Sequence, residues 1–238
     1  MKDANLYLSG GGDSEDSFLL DKSFLEKIKK EENILYIPIA METDTAGFES
    51  CHNWVTNTLS RASNTPIKIE MWTNLYNKSW NDIKDFGAIY IGGGNTFKLL
   101  NYLSDTGFIS ILEKYIVNGG IVYGGSAGAI IMGKSIKTAE DENDKEYKKS
   151  DGLNLLSGIS IFCHYNSAFD LKIQKYIKEN CGEVIALPEK TGLVVSDLEI
   201  VIIGYEPAYY FDLNGNITTL EINKKYSYDS SSGFYKFV

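Results

Sequence analysis

Short apolar runs alternate with amphipathic stretches through the first half of the chain, and this alternation restricts the fold more than any single residue does. Residues 4–8 (ANLYL), 34–37 (ILYI), 67–71 (IKIEM), 88–91 (AIYI) and 121–123 (IVY) read as strands. Several are apolar throughout, as parallel strands covered on both faces must be. Residues 17–30, 48–63, 96–103 and 108–117 read as helices between them. In the first, Phe18, Leu19, Phe24, Leu25 and Ile28 make an apolar stripe against Lys22, Glu26, Lys27 and Lys29. The expectation is an α/β fold with a doubly wound, mostly parallel sheet flanked by helices and joined by right-handed crossovers. Ligands in such sheets lie at the carboxyl ends of strands, which directs attention to the loops after Ile91 and Tyr123.

The last third carries closely spaced β-rich runs at 184–187, 192–196, 200–203 and 209–213. Asn214-Gly215-Asn216 then predicts a hairpin turn before 217–222. These runs predict a C-terminal antiparallel extension of the main sheet, within a single domain over 1–238. No Pro/Gly/Ser-rich linker divides the 238 residues, and a chain of this size buries enough surface to need no staple. Residues 138–151 (TAEDENDKEYKKSD) are polar and charge-dense and read as a solvated loop.

Charge and cysteine usage narrow the function classes. The net charge of −9 repels phosphate backbones and argues against a nucleic-acid partner. No run approaches the length of a membrane span, and the start has no basic, apolar secretory signal. Three cysteines, Cys51, Cys163 and Cys181, lack zinc spacing and fit free thiols in a reducing, cytoplasmic compartment.

The chemistry concentrates at Gly124-Gly125-Ser126-Ala127-Gly128, a G-x-S-x-G motif between the strand IVY and the helix-compatible AIIM. That strand-turn-helix context makes a nucleophile elbow: glycines at the flanks admit a turn too sharp for side chains, and the serine hydroxyl is pushed out above the sheet. The Ala127 N–H at the helix start would then face developing negative charge. A serine nucleophile needs a base, and the chain offers only His52 and His164. His52 falls inside an amphipathic helical stretch, whereas His164 follows the apolar run ISIF and is the preferred base. Candidates for the acid that orients the imidazole are Glu140, Asp141, Glu142, Asp144, Glu146 and Asp151, with Asp170 beyond the histidine, and spacing alone does not choose among them.

A second glycine-rich turn, Gly92-Gly93-Gly94-Asn95-Thr96, follows AIYI and opens a helix. It lacks the spacing and lysine of a phosphate loop and is expected to supply the second oxyanion donor, with Asn95 as an N-cap or a substrate-facing amide. No cluster has metal-ligand spacing, so neither a metal nor another cofactor is expected.

IGGGNTFKLL together with YGGSAGAIIMG resembles serine peptidase family S51, the family of peptidase E (alpha-aspartyl dipeptidase) and the cyanophycinases. The resemblance implies a fold like that of class I glutamine amidotransferases and hydrolysis of small peptides through an acyl-enzyme. It implies Ser126 as nucleophile, His164 as base, Asp141 as triad acid, and Gly94 with Ala127 as oxyanion donors. Gly125 stands where peptidase E has Trp and leaves a more open site, and Gly125 and Asn95 are the expected substrate-binding residues. The single arginine, Arg61, lies away from the motifs, leaving Lys134 or Lys137 as point charges and making bidentate recognition of an aspartyl side chain improbable. A small peptide is the expected partner, with a homodimer open. An esterase, a non-catalytic peptide binder and a glutaminase-type amidotransferase are the competing readings; the last wants a cysteine at position 126.

Overall fold

A computed structural model describes residues 5–29, 32–41, 43–143, 145–196, 199–229 and 234–236. The predicted strands form as β1 (Asn5–Ser9), β2 (Ile34–Ile37), β3 (Ile69–Met71), β4 (Ala88–Ile91) and β5 (Ile121–Gly125), all parallel, in the spatial order β1-β5-β4-β2-β3. Ala4 and Lys30, at the ends of the first predicted strand and helix, lie outside the described residues. Seven α-helices are described: α1 (Phe18–Leu25), α2 (Thr43–Ala62, broken at Gly47), α3 (Trp80–Ile83), α4 (Thr96–Asp105), α5 (Phe108–Val117), α6 (Ala127–Ile130) and α7 (Asp170–Asn180). The predicted helix over 17–30 stops early because Lys27 and Ile28 donate to Phe24 and Leu25, three residues back, and tighten the last turn out of α geometry.

The two-residue period of the strands divides the core cleanly. Leu6, Leu8, Leu35, Ile37, Ile89, Ile91 and Val122 face α4 and α5, where Leu99, Leu103 and Leu112 are fully buried. The alternate positions carry tyrosines. Tyr7, Tyr123, Tyr90 and Tyr36 come from four adjacent strands in register and face α1 and α2. Tyr90 and Tyr123 stack at 4.3 Å, and Phe24 of α1 meets Tyr7, Tyr90 and Tyr123 in T-shaped contacts. Offset and edge contacts of this kind add to the burial of rings this large.

The C-terminal third departs from a simple extension. Its strands, with β6 before them, are β6 (Ser160–Phe162), β7 (Val184–Ala186), β8 (Thr191–Ser196), β9 (Glu199–Gly204), β10 (Ala208–Phe211), β11 (Ile217–Leu220), β12 (Lys225–Asp229) and β13 (Phe234–Lys236). β8 joins β1 antiparallel, and β9, β12 and β13 continue the nine-stranded sheet outward. The runs expected at 184–187, 209–213 and 217–222 leave it instead. β7, β10 and β11 combine with β6 in a second, four-stranded sheet in the order β11-β10-β7-β6. The reason is apolar cover: Phe162, Val184, Ala186 and Phe211 are closed by Ile173, Tyr176 and Ile177 of α7 in a separate core. The Asn214–Asn216 turn does join β10 to β11, with the Asp212 carboxylate accepting from the backbone N–H of Asn214 and Asn216.

Candidate active site

β5 delivers the nucleophile elbow at the carboxyl edge of the sheet. Ser126 holds φ 46° and ψ −104°, a conformation that costs a non-glycine residue energy and that the flanking strand and helix enforce. Its N–H donates to the Ser9 carbonyl at 3.1 Å, tying the elbow to the end of β1. The flanks are closed as the motif requires: a Cβ at Gly124 would lie 2.5 Å from the Gly128 carbonyl oxygen, and one at Gly128 2.4 Å from that of Ile91.

Parallel pairing of β6 and β7 brings up the partners. Phe162 and Ala186 are in register, so the loops leaving both strands emerge at one edge, one carrying His164 and the other Glu189. The Ser126 hydroxyl is 2.7 Å from His164 Nε2, and His164 Nδ1 is 3.0 Å from Glu189 Oε1. His164 adopts a left-handed φ of 54°, and its N–H donates to the Gly10 carbonyl, which docks the small sheet's edge onto β1. Gly11, at φ +117°, backs the imidazole so closely that a Cβ there would meet the ring at 2.2 Å. With side-chain exposures of 45% and 55%, the His164–Glu189 pair contributes little to stability by itself and serves mainly to orient the ring.

The acid expected at Asp141 is therefore corrected. Asp141 Oδ2 accepts from the Thr96 N–H at 2.9 Å and the Thr96 hydroxyl at 2.5 Å, so it caps the start of α4 and does not reach His164. Asn95 is corrected in part. Its Oδ1 accepts from the Lys98 N–H as an N-cap and its amide nitrogen donates to the Glu142 carbonyl, so both ends of the amide are held by the protein itself. The charged 138–151 loop is thus pinned to α4 rather than freely solvated. Among the other candidate acids, Glu140 pairs with Lys172, Asp170 accepts from the Tyr165 hydroxyl, and Asp144 lies outside the described residues. Lys134 and Lys137 donate to the Cys181 carbonyl and the Asn180 side chain, away from Ser126.

The Gly92–Gly94 turn stands beside the elbow. A Cβ on Gly93 would be 3.3 Å from Ser126 Cβ, and one on Gly94, at φ +130°, would strike the Ala40 carbonyl at 2.4 Å. Among the described residues the N–H groups of Gly93 and Gly94 have no acceptor, and that of Ala127, at the first position of α6, has none within the helix. Cys163, next to the histidine, is fully enclosed and hydrogen-bonds to the Ser9 and Ser126 carbonyls; burial pushes its thiol well up, so it carries no thiolate. His52 stays in α2, with Nε2 3.4 Å from the Ile69 carbonyl.

A cavity of about 540 Å³ opens over these groups. Ser126, His164, Gly93, Gly94 and Gly125 line one part of it, and Tyr36, Tyr90 and Tyr123 of the in-register row line another. The partly exposed Trp54 stands at its margin. Sequence reasoning missed Glu189, the Gly10–Gly11 turn and the tyrosine row. The last had a visible signal, since NLY, ILY, AIY and IVY each place tyrosine at the third position of a strand. Among the described residues no group of His, Cys, Asp and Glu is arranged to hold a metal ion, and no helix is long and apolar enough to cross a membrane.

An elbow serine hydrogen-bonded to an imidazole stands above the carboxyl edge of a parallel sheet, an arrangement that suits nucleophilic attack. The chain belongs to peptidase family S51, whose sequence pattern matches residues 6–203. It is 33% identical over 139 residues to Peptidase E of Shewanella sp. (strain W3-18-1), an alignment covering 54% of this chain and 58% of that protein. Peptidase E of Haemophilus influenzae (strain PittGG) is 28% identical over 206 residues, covering 82% and 85%. Matches to several of these curated relatives thus span little more than half of their length. The fold is similar to that of a putative Peptidase E protein from Listeria monocytogenes EGD-e, with TM-score 0.66 and 22% identity over 85% of this chain and 98% of that one. It is also similar to that of a peptidase from an acI-B1 Actinobacterium, with TM-score 0.71 and 19% identity over 95% and 99%.

Proposed function

We propose that the protein is a serine peptidase that hydrolyses small peptides through an acyl-enzyme, with Ser126 as nucleophile, His164 as general base and Glu189 as the acid that orients it. The observation that carries this is the chain of two hydrogen bonds, Ser126 Oγ to His164 Nε2 and His164 Nδ1 to Glu189. A carboxylate on Nδ1 holds the proton there and leaves Nε2 free to accept the serine proton. Ser126 Oγ then attacks the amide carbon. The oxyanion is held by the N–H of Ala127 and by the Gly93–Gly94 turn, with Gly94 the donor implied by resemblance. His164 passes its proton to the departing amine, and water, deprotonated by the same imidazole, releases the acid. One oxyanion donor contributes on the order of 3 kcal/mol to such a transition state.

The cavity supports a small substrate, since about 540 Å³ lies within the range of small-molecule sites. Curated relatives carrying the name Peptidase E support the peptide bond as target. A dipeptide library, screened with the parent and with Ser126→Ala, tests the reading. The parent should cleave a subset of dipeptides and Ser126→Ala none; undiminished cleavage by Ser126→Ala would overturn it.

A further inference from the structure

Behind the floor of the cavity lies a carboxylate that the chemistry at Ser126 does not use. Asp21 of α1 is 1% exposed, and its Oδ2 accepts from the Ser17 hydroxyl at 2.8 Å. Its Oδ1 and the hydroxyl of Tyr123 are both buried without a hydrogen-bond partner of good geometry among the described residues. The two groups are neighbours, each affecting the other's ionisation. Ser17 and Tyr123 both line the cavity, so the carboxylate stands directly behind its floor. No lysine or arginine lines the cavity to balance it.

We propose that this arm of the cavity is a pocket for a cationic side chain, an ammonium or guanidinium, on the acyl residue of the substrate, with Asp21 as its counter-charge. The proposal rests on the hydrolase reading for its geometry. A buried carboxylate held only by neutral hydroxyls has no counter-charge, and a bound cation supplies it. The tyrosine wall suits the same ligand, since the aliphatic stem of a lysine or arginine packs on aromatic carbon while its charged head reaches further in. Distance selects a side chain over the α-ammonium. Tyr123 lies two residues before Gly125, the end of β5, roughly 7 Å back along the strand from the elbow, whereas an α-ammonium is only two bonds from the carbonyl under attack. The net charge of −9 favours arrival of a cation and disfavours an aspartyl side chain in the same arm.

Calorimetry on the Ser126→Ala protein, which binds without turnover, tests the pocket with L-lysinamide, Nε-acetyl-L-lysinamide and L-norleucinamide. All three keep the α-ammonium and differ at the side-chain end. Lysinamide should bind at least tenfold more tightly than the other two, and adding Asp21→Asn should abolish that difference. Tyr123→Phe, which keeps the aromatic wall, should reduce it severalfold. Equal binding of the three amides, or a preference that survives Asp21→Asn, overturns the proposal. Fluorophosphonate labelling of Ser126 in the parent separates the two claims. A labelled protein without lysine preference sinks the pocket alone, and an unlabelled protein that prefers lysinamide sinks the hydrolase reading alone.

Discussion

Glu189 Oε1 stands 3.0 Å from His164 Nδ1, though the two residues are 25 positions apart, because each lies just past the end of one of two parallel strands in the smaller sheet. The imidazole is thereby fixed on one side by a carboxylate and offered on the other to Ser126. Glu189→Gln should leave the fold intact and lower kcat by roughly 10³–10⁴-fold, since an amide no longer enforces the tautomer. Asp141→Asn should do the reverse: kcat stays within a few-fold while the melting temperature falls, as the Thr96 cap loses on the order of 1 kcal/mol. Steady-state kinetics and thermal melts of the two variants check the assignment, and a larger catalytic defect in Asp141→Asn would return the acid to that position.

Gly11 is expected to matter for catalysis although it has no side chain. Alanine there would drive its methyl into the His164 ring and also strain a φ of +117°. Displacing the imidazole by about 1 Å costs on the order of 100-fold in rate. Gly11→Ala should therefore lose activity by about that factor. The loss should fall on kcat more than on KM, measured on any dipeptide the parent cleaves.

Asp21 should weaken the fold it belongs to at neutral pH. Desolvation raises its carboxyl from 3.8 to about 6, with the Tyr123 and Ser17 hydroxyls opposing. A folded-state pKa above the unfolded value means that folding disfavours the charged form. The penalty is complete above pH 6, shrinks as the pH falls through that value and vanishes below about 4. Each tenfold weakening of the acid corresponds to about 1.4 kcal/mol, so the full penalty amounts to roughly 3 kcal/mol. Asp21→Asn should accordingly raise the melting temperature by several degrees at pH 8 and leave it unchanged at pH 4. Equal stabilisation at both values would mean that the carboxyl is not buried in the folded protein.

How far the residues foretold the molecule follows from which contacts are local. The parallel strands and the elbow were legible because each depends on a short window: apolar runs such as AIYI and IVY, and glycines flanking Ser126. His164 was legible because the alternatives were so few. Glu189 was not, since its role depends on β6 pairing with β7, a contact that neither strand's composition announces. The same pairing removed 184–186 from the main sheet, where its apolar pattern would have fitted equally well. Asp141 lay close in sequence to the nucleophile, but the unsatisfied N–H at the start of α4 claimed its carboxylate first.

The most direct measurement of the central claim is peptide mapping by mass spectrometry after reaction of the folded parent protein with a fluorophosphonate. The expected result is one stoichiometric adduct on Ser126, formed far more slowly when His164 is replaced by alanine. A folded protein that stays unmodified at Ser126, or that reacts there equally fast without His164, would contradict the account.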